Sequence, residues 1–87
     1  MNTFSLTISS PDGNLFKGDA VKISVRGIEG DLAVMAGHIP FITAVRKCEC
    51  RIELPDGDER KGVTEGGILN VSDKEVILLS DCFEWNK

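Results

Sequence analysis

Three cysteines and a single histidine are the residues of this 87-residue sequence best suited to metal or redox chemistry. Zinc takes four such ligands, usually in paired spacing. Cys48 and Cys50 are two apart in an alternating stretch and share one strand face, whereas Cys82 lies far along the chain and His38 falls in a loop. That spacing matches no zinc ligand set, so Cys50 reads as a small core residue and the other two cysteines as incidental. An odd number of cysteines is also a poor disulfide framework and suits a reducing compartment. His38 is the one candidate for an imidazole base, yet no nucleophile with a recognisable signature surrounds it. Glu29 and Asp31, close to it in sequence, read as solvated carboxylates beside a turn. Gly27-Ile28-Glu29-Gly30 and the Gly62–Gly67 stretch lack the context of a phosphate-binding loop, and no helix follows to receive phosphate. No catalytic residue, no cofactor and no metal are therefore expected.

What must position these residues is a chain patterned at period two almost throughout. Phe4, Leu6 and Ile8 alternate with Ser5, Thr7 and Ser9, the mark of a half-buried strand. Pro11-Asp12-Gly13 supplies turn chemistry, and Leu15-Phe16 opens a short second strand closed by Gly18 and Asp19. Val21, Ile23 and Val25 alternate with Lys22, Ser24 and Arg26; beyond the Gly27–Gly30 turn, Leu32 and Val34 mark a fourth strand. Phe41 to Val45 is a nearly continuous apolar run, as expected of a strand covered on both sides. Cys50, Ile52 and Leu54 alternate with Arg51 and Glu53, while Glu59 to Thr64 is polar and predicts a sheet edge. Ile68 to Val71 and Val76 to Leu79 complete the set. The fold class predicted is all-β: one domain, residues 1–87, forming a flattened sandwich or barrel of about 8–10 short, mostly antiparallel strands with no C-terminal helical hairpin.

Ten basic against fourteen acidic residues give a net charge of −4, which argues against general binding of nucleic acid or anionic membrane. No apolar run approaches the roughly 20 residues needed to span a bilayer. The opening Met1-Asn2-Thr3-Phe4 lacks the basic head and apolar body of a secretory signal, so a cytosolic protein is expected. The expected partner is another protein. One loop interrupts the strand pattern, Gly30 to Phe41, and it gathers Asp31, Met35, His38, Ile39 and Phe41 in a short stretch. Loops placed by a rigid scaffold are where binding residues collect. A biotinyl or lipoyl carrier, also small and all-β, needs a lysine at a hairpin tip, and neither Met1 nor Met35 has a lysine neighbour. A generic cytosolic β-sandwich adaptor remains open on these grounds.

The same residues carry a family resemblance. Gly27-Ile28-Glu29-Gly30-Asp31-Leu32, followed by Gly37-His38-Ile39-Pro40 and Thr43-Ala44, resembles the signature of ATP synthase epsilon subunits. Phe4 to Gly18 is similar to that family's first hairpin, Gly66-Gly67-Ile68-Leu69-Asn70-Val71 to its double-glycine segment, and Val76 to Asp81 to its last sandwich strand. The resemblance implies a ten-stranded sandwich in the central stalk of an F-type ATP synthase. Such a subunit couples the c ring to the gamma subunit during ion-driven ATP synthesis, peripheral on the cytoplasmic side of the bacterial plasma membrane. It further implies that Glu29 and Asp31 face the c ring and that His38, Ile39, Phe41 and Ile42 lie towards gamma. Three departures stand out: Ala36 replaces a usual proline, Arg46-Lys47-Cys48 replaces a usual Lys-Pro-Gly turn, and the sequence given stops at Lys87, before the two helices with which the family commonly continues. The expectation is a coupling domain without that family's helical brake.

Overall fold

In the computed structural model, which describes residues 2–37 and 39–85, the alternating segments form ten strands and no helix. In chain order they are β1 (Phe4–Ser10), β2 (Gly13–Ala20), β3 (Lys22–Gly27), β4 (Gly30–Met35), β5 (Phe41–Val45), β6 (Cys48–Glu53), β7 (Glu59–Thr64), β8 (Gly67–Val71), β9 (Glu75–Ser80) and β10 (Phe83–Trp85). They belong to one sheet that folds back on itself, ordered β10-β7-β6-β3-β5-β8-β9-β1-β2, with β4 paired to β3 off that path. Every pairing is antiparallel except β1 with β9. The all-β sandwich expected from the alternation is the fold observed.

The alternation decides what is buried. Leu6 and Ile8 of β1, Ile23 of β3, Ile52 of β6, Leu69 of β8 and Leu78 of β9 are fully enclosed, with Cys50 among them. Each such aliphatic side chain contributes on the order of 1.5–3 kcal/mol by leaving water. Two hydroxyls are enclosed as well. Ser80 Oγ donates to the Cys82 carbonyl at 2.9 Å, and Thr64 Oγ1 lies 2.6 Å from Ser80 Oγ while accepting from the Gly66 N–H at 3.1 Å. A hydroxyl has one proton and two acceptor sites, so this small network satisfies both groups and ties the end of β7 to the end of β9.

Among the described residues, closure at the two ends of the strand order uses rings instead of backbone bonds. Phe16 of β2 meets Trp85 of β10 edge-on at 6.2 Å between centroids, and Phe83 meets Trp85 at 4.9 Å. The Arg60 guanidinium lies 4.0 Å over the Trp85 ring and 5.8 Å over Phe16. A cation against an aromatic face adds about 0.5–1 kcal/mol at an exposed site. Gly62 makes room for this seam, since a Cβ there would sit 2.5 Å from Phe83 Cζ.

Three local readings change. The strand over Phe83–Trp85 was not foreseen; it pairs with β7, so the polar β7 is an inner strand rather than an edge. The second strand runs on through Gly18 and Asp19, both held in register with β1. The apolar run of β5 is not covered on both sides: Ile42 is 69% exposed and Ala44 is exposed too.

Candidate functional site

The Gly30–Phe41 stretch is not one loop: Gly30–Met35 is β4, paired along its length with β3, and the tip of that hairpin meets the start of β5 at one corner of the sandwich. Ile28 and Glu29 form the tip of the β3–β4 hairpin, between the paired Gly27 and Gly30. The tip is lashed to β5 by backbone bonds from Ile28 N–H to the Ala44 carbonyl (3.2 Å) and from Arg46 N–H to the Arg26 carbonyl (2.9 Å). Arg46 Nη2 also donates to the Ile28 carbonyl at 3.2 Å. Glu29, Asp31, Phe41, Ile42 and Thr43 consequently line one shallow cleft of about 370 Å³. The two groups singled out in sequence, around Glu29–Asp31 and around Phe41–Ile42, are thus neighbours in space. Ile39 is 82% exposed beside them, and His38 lies outside the described residues.

Asp31 is less free than a solvated carboxylate. Its Oδ1 accepts from Arg26 Nε at 2.9 Å, across the rung that pairs the two residues. This bond and the accompanying charge attraction hold the Arg26 guanidinium still more firmly protonated than usual. Both side chains stand in solvent, so the pair fixes orientation more than it stabilises. A second pair, Arg51 with Glu49 at 2.9 Å, continues the pattern on β6. The outer face of β4, β3 and β6 is therefore a charged surface with its charges matched.

The opposite outer face differs in chemistry. Register places Ala44, Ile68 and Leu79 side by side on β5, β8 and β9, with Ile42, Asn70 and Ile77 in the next row. Ile68 is 48% and Leu79 51% exposed, so together with Ile42 they form an aliphatic strip open to water. Clustered exposed aliphatics of this kind mark contact surfaces. Ile68 and Leu79 do not stand out in the sequence as site residues. The signal was present: β8 and β9 carry aliphatic residues at both parities, and the sandwich interior uses only one of them.

The cysteines separate by burial: Cys48 is half-buried, Cys50 buried and Cys82 exposed. Among the described residues no group of three or more His, Cys, Asp or Glu is placed to hold a metal. Burial, with a smaller contribution from Cys48, pushes the Cys50 thiol up from 9.0 to about 12. Above pH 9.0 the unfolded chain sheds this proton while the folded chain keeps it to about pH 12. Stability is therefore expected to fall across that window, by up to about 1.4 kcal/mol per pH unit from this group. Urea unfolding of the wild type and Cys50→Ala across the same window checks it. The wild type should lose ground against the variant, and a constant difference would count against the buried thiol.

Fold and surface together define a small, nearly closed β-sandwich domain with a charged outer face, an aliphatic outer strip and a carboxylate-tipped hairpin between them. The chain belongs to the family of the ATP synthase delta/epsilon chain β-sandwich domain, whose model matches residues 3–86. It is 39% identical over 83 residues to the sodium-ion-specific ATP synthase epsilon chain of Acetobacterium woodii, covering 95% of this chain and 62% of that protein. It is 35% identical over 80 residues to the ATP synthase epsilon chain of Clostridium kluyveri, covering 92% and 61% respectively. The chain thus spans about three-fifths of the length of these relatives. Among solved structures, a chain of the Euglena gracilis mitochondrial ATP synthase, resolved as OSCP/F1/c-ring, superposes with a TM-score of 0.90 at 22% identity, over 95% of this chain and 53% of that one. A chain of the Tetrahymena thermophila ATP synthase central stalk and c ring superposes at 0.79 with 13% identity, over 94% and 66%. At those identities the likeness is one of fold.

Proposed function

We propose that this domain is a non-catalytic coupling element of the central stalk in a bacterial rotary ATP synthase, held peripherally at the cytoplasmic face of the plasma membrane. In this reading the hairpin tip, with Glu29 and Asp31, bears on the ion-driven c ring. The aliphatic strip of Ile42, Ile68 and Leu79, with Ile39, Phe41 and His38 beside it, bears on gamma. The observation that carries the proposal is the junction of two unlike surfaces at one corner of a rigid body: a carboxylate tip fastened by backbone bonds to the strand that begins the aliphatic strip. A coupling part must resist shear between its two contacts, and a close-packed sandwich deforms little.

The two contacts make separable predictions. Glu29→Lys with Asp31→Asn should weaken capture of the c ring by the gamma–domain complex about tenfold, the scale of a lost set of charge contacts. Binding to gamma itself should be unchanged. Titrating purified c ring against the reconstituted pair measures the first, and calorimetry with gamma alone measures the second. Unchanged ring affinity would remove the tip from the coupling surface.

A further inference from the structure

Among the described residues, β2, β4 and β10 are the strands hydrogen-bonded on one side only. Exposed sheet edges invite pairing with other chains, and proteins usually blunt them with charge, proline, a bulge or brevity. β2 has a bulge in its pairing at Ile8/Ser9 and carries Lys17 and Asp19, and β10 is only three residues long. β4 has no bulge and no proline and is twice as long as β10. Its six residues, Gly-Asp-Leu-Ala-Val-Met, pair with β3 without a register shift. Its one charge, Asp31, is already matched by Arg26.

The hairpin geometry shows which groups are open. A two-residue turn closes on a hydrogen-bonded pair, here Gly27 with Gly30, and such pairs recur at every second rung. Asp31, Ala33 and Met35 fall on the alternate rungs, with their backbone N–H and C=O groups directed away from β3. The facing strand obeys the same parity: Arg26, opposite Asp31, gives its carbonyl to Arg46 on its other side. Among the described residues the backbone groups of Asp31, Ala33 and Met35 have no hydrogen-bond partner.

We infer that this edge pairs with the same edge of a second copy of the chain, β4 against β4, antiparallel about a two-fold axis through Ala33. That register engages all three open residues of both copies. It sets Ala33 against Ala33, where two small exposed side chains meet without crowding, and Asp31 against Met35, so no like charges face each other. On the inner side it sets Leu32 against Val34, extending an apolar row. An edge whose open groups lie in phase about its own midpoint is self-complementary, which is the requirement of a two-fold contact. The pairing rests on the edge alone and stands apart from the coupling role proposed above.

Sedimentation velocity of the 87-residue chain tests it, supported by amide exchange. The sedimentation coefficient should rise between about 10 µM and about 1 mM, as befits a contact smaller than a standard interface. Exchange at Asp31, Ala33 and Met35 should slow over the same range. Ala33→Pro removes the central open N–H without touching a bond to β3 and should remain monomeric throughout. Ala33→Lys keeps the backbone intact but sets like charges across the axis, and should be monomeric too, which covers the case of a proline variant that fails to fold. A wild type monomeric at every concentration would overturn the inference. So would association that survives Ala33→Lys, or dimers whose three amides exchange as fast as in the monomer.

Discussion

Gly67→Ala is expected to unfold the sandwich. A Cβ at this position would overlap the Leu79 carbonyl oxygen and come within 2.9 Å of the Leu79 carbonyl carbon and 3.0 Å of Ser80 Cα. All three are backbone atoms of the neighbouring β9, so no side-chain rotation relieves the overlap. The two strands meet here as the paired Gly67 and Ser80, with Asp81 N–H donating to the Gly66 carbonyl at 3.1 Å just beyond. Opening this rung would also disturb the buried Thr64–Ser80 hydroxyl pair. The expected cost exceeds about 4 kcal/mol, the range reserved for severe overpacking and broken buried networks. A small domain has a total stability of about 5–15 kcal/mol, so most of it would be spent. Urea unfolding followed by far-ultraviolet circular dichroism decides the matter. A variant within about 1 kcal/mol of the wild type would mean that β8 and β9 do not approach this closely.

The same glycine shows what the sequence does and does not disclose. The Gly62–Gly67 stretch lacks the context of a phosphate-binding loop, and the close approach of Gly67 to Leu79 shows what one of its glycines serves instead. Alternation, apolar runs and turn residues together located nine of the ten strands, most directly in β1, β3 and β6, where a single parity carries the apolar residues and the other carries Ser, Thr, Lys, Arg and Glu. They missed β10, where three residues are too few to show a period. They also misjudged β7, whose charges suggested an edge, because what covers a strand is a long-range fact: β10 reaches β7 only after two intervening strands. The corner where Glu29 and Asp31 meet Phe41 and Ile42 was legible as two clusters in sequence. Their adjacency was not, since it depends on bonds from Ile28 and Arg26 to β5 that no local pattern encodes. The hardest feature was the aliphatic strip. An aliphatic residue at an outward parity reads as core until the sheet order shows that nothing lies over it.

That strip supplies the second large effect. Lysine at both Ile68 and Leu79 should raise the dissociation constant for gamma at least about 100-fold, since truncating a central apolar anchor commonly costs 2 kcal/mol or more and a charge there is worse. The fold should hardly notice. Both side chains are about half exposed on the outward parity, so their replacement leaves the core intact and should change stability by roughly 0.5 kcal/mol or less. The double variant also moves the net charge from −4 towards −2, which by itself could alter association. Ser24→Lys combined with Ala33→Lys, on the charged outer face of β3 and β4, makes the same change of charge away from the strip and serves as the control. If the strip is the gamma contact, calorimetry should find binding lost in the first variant and retained in the second. Equal losses would trace the effect to charge, and no loss in either would leave the aliphatic strip without a role in coupling. The contrast matters because the two faces share one core. A rigid sandwich can present charge on one side and aliphatics on the other only because each strand alternates, so the feature that folds the chain also gives it two surfaces to join.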